Sequence, residues 1–156
     1  MDTILTKLQV RRIGEAARKM RVVAVYEDFA TCARVNESCR SVARDLDHDC
    51  ELIKQAWLVN LLRLPQLRAI AAQEATSADL IIISLHDAER PPDEVKDWFE
   101  LWLQEASPRP TVLLVLADMV CYEETRTADT YLEGVAKRGN MDLVVQPWQA
   151  TEGRPK

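Results

Sequence analysis

The chain predicts a three-layer α/β fold: a doubly wound, five-stranded parallel sheet in the order 2-1-3-4-5, with helices on both faces. Three observations lead there. Leu80 to Asp87, LIIISLHD, opens with four apolar residues in a row, and Thr111 to Ala117, TVLLVLA, is apolar almost throughout. Runs that do not alternate mark strands buried on both faces, and their short length and β-branched content argue against helices. Between such runs lie stretches with helical spacing, so strand and helix alternate. That alternation implies right-handed crossovers and a parallel sheet.

Composition narrows the class. At 156 residues the chain is long enough for one domain with one real core. A formal charge of −5 argues against bulk nucleic-acid binding, which needs a concentrated basic surface. No stretch approaches the length of an apolar membrane span, and the first residues lack a signal peptide's pattern, so a cytoplasmic protein is expected. The cysteines, Cys32, Cys39, Cys50 and Cys121, show no C-x-x-C spacing and read as reduced thiols. Only four glycines occur, none between a strand and the helix after it. Phosphate-cradling loops need glycine there, so the dinucleotide fingerprint and the Walker loop are both absent.

In chain order, Met1 to Met20 has helical spacing and a basic far side. Arg21 to Tyr26, RVVAVY, is the first strand and runs into Glu27 and Asp28. A helix is expected from Phe29 to Leu46, with Ala33, Val35, Val42, Ala43 and Leu46 as its apolar positions and Asp28 available as its N-cap. Cys50 to Trp57 reads as a second strand whose polar residues suit an edge. Leu58 to Leu64 is ambiguous. Pro65 suits the first turn of a helix to about Ala75. Pro91 and Pro92 with Asp93 and Glu94 start another helix, which Pro108 and Pro110 end. A further helix falls within Glu123 to Arg138, stopped by Gly139 and Asn140. Met141 to Val145 is the last strand, and residues 149–156 read as a disordered tail after a single domain over 1–148. For five strands this is the flavodoxin-like order, with the N-terminal helix covering the face a C-terminal helix would otherwise take.

Ligands of open α/β sheets sit at the carboxyl ends of the strands. There the chain gathers Glu27 and Asp28, then Ser84, His86 and Asp87, then Asp118, then Gln146. The first strand ends VYED, the third reads DLIIIS, the fourth ends VLAD and the fifth reads VVQPW. In this the chain resembles the receiver domain of response regulators over about Arg21 to Trp148. The resemblance places Glu27 and Asp28 as the acidic pair, a tentative Mg²⁺ site with the His86 carbonyl as a backbone ligand. It places Ser84 where the phospho-acceptor aspartate stands, Leu116 or Ala117 at the hydroxyl position, and Gln146 for the lysine before Pro147 and Trp148. A receiver without acceptor or lysine is a degenerate one, implying signalling by contact or by another ligand.

Val95, Trp98, Phe99, Leu101 and Trp102, with Leu103, exceed one apolar stripe on their helix. Trp98 and Trp102 share a face and fit a core. The surplus suggests exposed aromatic surface for a protein partner or a second copy. The expected function is therefore a non-catalytic signalling or protein-interaction module. The alternative is a small ligand-binding protein or hydrolase using the strand-end crevice, where Ser84 and His86, two apart on a strand, point the same way. A nucleophile elbow, G-x-S-x-G, is missing. A purely structural subunit is the third reading.

Overall fold

A computed structural model of the chain describes residues 19–45, 51–104, 112–118 and 131–148. Its elements are β1 (Lys19–Tyr26), α1 (Phe29–Asp45), β2 (Glu51–Leu58), a 3₁₀ turn (Val59–Arg63), α2 (Pro65–Thr76), β3 (Leu80–Ser84), α3 (Asp93–Leu103), β4 (Val112–Asp118), α4 (Tyr131–Gly139) and β5 (Asp142–Trp148). The strands form one sheet in the order β2-β1-β3-β4-β5, every pair parallel. This is the flavodoxin-like arrangement that the alternation of elements predicts.

The continuous apolar runs have their explanation in burial. Every residue of β3 is buried, as are Val112 to Ala117 in β4. Side chains alternate between two cores. Met20, Val22, Ala24, Leu80, Ile82, Val112 and Leu114 pack with α1 on one face, while Val23, Val25, Ile81, Ile83, Leu113 and Val115 pack with α2, α3 and α4 on the other. Each fully buried Ile or Val is worth about 1.5–3 kcal/mol of transfer free energy, so the three central strands anchor both layers.

Several boundaries move. Lys19 and Met20 belong to β1 and not to a helix: Met20 pairs with Leu52 and is 2% exposed. The rest of the expected N-terminal helix, Leu46, Cys50, Cys121, the start of the helix placed in Glu123 to Arg138, and the tail lie outside the described residues. In α1 the inward face is Thr31, Arg34, Val35, Ser38, Cys39 and Val42, whereas Ala33 and Ala43 are exposed. Pro92 caps α3 rather than filling its first turn. The ambiguous stretch is the 3₁₀ turn.

α4 stops as expected, by a specific device. Asn140 takes φ 56°, its N–H donates to the Lys137 carbonyl at 3.2 Å, and Met141 N–H donates to the Ala136 carbonyl at 2.8 Å. That is the paired closure of a left-handed cap, with asparagine as the tolerant residue. Gly139 is needed for closeness instead: a Cβ there would lie 2.8 Å from the Met141 Cε. β5 then runs past Val145 to Trp148, and Pro147, without an N–H, is accommodated because β5 is an edge strand.

Candidate functional site

The site grows from the junction of β1 and α1. Asp28 is the N-cap: its Oδ1 accepts the Thr31 N–H at 2.9 Å. Thr31 reciprocates, its Oγ1 accepting the N–H groups of Glu27 at 2.8 Å and Asp28 at 2.9 Å. Three backbone donors at the helix start are satisfied, and both acids are fixed relative to α1.

From β3 comes the histidine. Ser84 ends the strand fully buried, its hydroxyl donating to the Thr31 carbonyl at 2.9 Å. Leu85 N–H donates to the Leu116 carbonyl at 3.0 Å and Asp118 N–H to the His86 carbonyl at 3.2 Å, so the chain beyond β3 stays against β4. His86 is thereby held between two carboxylates. Its Nε2 lies 2.8 Å from Asp28 Oδ2, and its Nδ1 lies 3.2 Å from both Asp118 oxygens. Its backbone N–H donates to Glu27 Oε1 at 2.8 Å.

Both ring nitrogens face acceptors, a geometry that the doubly protonated imidazolium satisfies. Burial alone pulls the His86 pKa down, but hydrogen bonds to Asp28 and Asp118, with their charges, outweigh it and leave it above the ordinary histidine value. Asp28 moves the other way. Burial raises its pKa, and the Thr31 backbone hydrogen bond together with His86 and the Thr31 hydroxyl brings it below the usual carboxylate value.

Arg34 completes the cluster, and sequence reasoning missed it. It is 6% exposed, its Nη2 lies 2.6 Å from Asp118 Oδ1, and its guanidinium carbon sits 5.9 Å from the Trp148 ring centroid. Its Nη1 is buried without a hydrogen-bond partner among the described residues. A signal was available: positions 31, 34, 35, 38 and 42 form one helical stripe, and an arginine on an inward stripe demands a counter-charge. Asp118 is that counter-charge.

No family model and no curated protein matches the chain. Geometry alone therefore defines the site. Of the residues singled out in the sequence, Glu27, Asp28, His86 and Asp118 come together. Ser84 lies beneath them, and its Oγ is committed to Thr31, not to His86. Asp87 turns into its own loop, its Oδ1 accepting the Glu89 N–H at 3.1 Å. Gln146 stands half-buried in β5 beside Leu116. Among the described residues, no group of three or more His, Cys, Asp or Glu side chains is arranged to hold a metal ion. Glu27 and Asp28 are instead turned toward protein donors.

The expected apolar interface on α3 needs correcting. Val95, Trp98, Phe99 and Trp102 are buried to within 1%, and only Leu101 faces outward. The helix packs on α2, the 3₁₀ turn and α4 as well as on the sheet, so its flanks are covered along with its base. Trp98 and Trp102 meet edge to face at 5.6 Å, a favourable aromatic geometry. No helix among the described residues is long and apolar enough to cross a membrane.

Proposed function

We propose that the chain is a non-catalytic signalling or protein-interaction module, a receiver-like domain in which a closed ionic cluster stands where phosphoryl chemistry would occur. One observation carries this reading: each carboxylate at the strand ends is already held by a protein donor, and the Ser84 hydroxyl is buried and donating. The cation comes from α1 as Arg34 and not from β5, where Gln146 stands. A Mg²⁺ ion at Glu27 and Asp28 would have to displace His86 and the helix cap. The partner is a protein or a second copy of the chain. A cytoplasmic setting fits the free thiols of Cys32 and Cys39.

The His86–Asp118 pair favours the runner-up, an enzyme with His86 as general base, since an aspartate on Nδ1 is how such a base is oriented. Asp28 on Nε2 weighs against it, because that nitrogen would have to be free to take a proton. One experiment separates the two. The protein is incubated with acetyl phosphate and Mg²⁺, and separately with p-nitrophenyl esters and phosphates. Intact mass should remain unchanged and turnover should stay at background. Turnover that disappears in His86→Ala would overturn the module reading in favour of a crevice enzyme, and an adduct from acetyl phosphate would overturn the closed cluster in favour of a phosphorylated receiver.

A further inference from the structure

We propose that β2 is the docking edge of this module and that its occupant is an extended, acidic segment of a partner protein, added to the sheet as a sixth strand. The proposal rests on the module reading above and names its partner class. Among the described residues, β2 pairs with β1 along all eight residues and with no other strand. Its outer edge therefore offers a row of backbone donors and acceptors, the template for strand addition. Glu51, Lys54, Gln55 and Ala56 are exposed, and no proline interrupts the strand. The opposite edge, β5, carries Pro147, which removes a donor from that side.

Beside β2 lies an open groove of about 630 Å³ between the strand and α1, lined by Asn36, Cys39, Arg40, Ala43, Leu52 and Lys54. Its charged lining is entirely cationic, in a chain whose net charge is −5. Lys54 is held by Asn36 Oδ1 at 2.5 Å, a neutral partner that a carboxylate would outcompete. Arg40 bonds Glu37 on the exposed helix surface, leaving Lys54 as the principal attractor. Leu52 and Lys54 are two apart and share a face of the strand, so an added strand would lay alternate side chains over an apolar and then a basic position. A lone lysine on an edge commonly blocks pairing. Here it borders a recess with an apolar floor, which selects an acidic-apolar alternation instead. Cys39 adds no chemistry there: burial pushes its thiol pKa up, more than the nearby Lys54 lowers it.

The test uses the full chain as bait for a phage library of random 12-residue peptides. The enriched peptides are then synthesised and measured by fluorescence anisotropy. Acidic-apolar alternating peptides should be enriched, should slow hydrogen exchange over Glu51–Leu58, and should lose about fivefold or more in affinity to Lys54→Glu, the equivalent of an exposed ion pair. Lys54 is exposed, so a circular dichroism spectrum matching the parent will show that the variant folds. The proposal is overturned if no peptide is enriched, if binders protect another segment, or if Lys54→Glu binds equally well. It is also overturned if light scattering shows two copies joined through β2. Catalytic turnover together with peptide capture at β2 would sink the module reading and keep the docking edge.

Discussion

At the scale of single residues, His86 sets the pH response. Because its folded pKa lies above its unfolded value, the stability it contributes is complete below the ordinary histidine pKa and is lost as pH rises through the folded one. A ¹H–¹⁵N titration should give His86 a midpoint above that of a free histidine, and Asp28→Asn and Asp118→Asn should each lower it. Urea unfolding should show the parent's margin over His86→Gln shrinking as pH rises above the ordinary histidine value. Asp28 has the opposite sign: its contribution is present at neutral pH and fades as pH falls through its lowered value. Arg34→Met keeps an unbranched apolar side chain but removes the guanidinium from both Asp118 and Trp148, and should cost about 3 kcal/mol. Combined with Asp118→Asn, the loss should fall short of the sum, a coupling that a double-mutant cycle reads directly.

At the scale of elements, α3 is a packing element whose aromatic side chains are buried. Trp98→Ala or Trp102→Ala should cost about 3–5 kcal/mol in chemical denaturation, the range for truncating a buried aromatic. Leu101→Ser, on the outward side of the same helix, should stay within about 0.5 kcal/mol. The Arg138–Glu100 bridge between α4 and α3 is bidentate, at 2.7 and 2.9 Å, but nearly half exposed, so removing it should matter little. Tyr131 on α4 is different. Burial beside Glu100 pushes its phenol up to about 12, so it should resist ionisation in alkaline spectrophotometric titration well beyond an ordinary tyrosine.

At the scale of the whole molecule, the sheet should be most stable at its centre. Amide exchange should be slowest in β3 and β4, which are buried on both faces, and fastest in β2 at the edge. That gradient was legible in the sequence. LIIIS and TVLLVLA announce central strands, whereas ELIKQAWL, with its Glu, Lys and Gln, announces an edge. The acids at the strand ends were legible too, because a parallel topology fixes which termini converge. The rest depended on tertiary placement. Arg34 looks like any surface arginine until α1 is oriented on the sheet. Ser84 looks like a crevice hydroxyl until the Thr31 carbonyl is found above it. The aromatic surplus of α3 looks like a surface until α2 and α4 close on either side of it.

Thr31 joins two strands to one helix start. Its hydroxyl serves the N–H groups of Glu27 and Asp28, its own N–H serves the Asp28 carboxylate, and its carbonyl serves Ser84 from another strand. Positions 27, 28 and 84 thus share one residue's polar atoms, which ties the start of α1 to the end of β3. Thr31→Val would strand two N–H donors while keeping the volume, and Thr31→Ser would leave every one of these bonds in place. Relatives should therefore keep a hydroxyl at 31 wherever a capping carboxylate stands at 28, while Thr31 itself leaves 27 free to vary because its share in the arrangement is a backbone N–H.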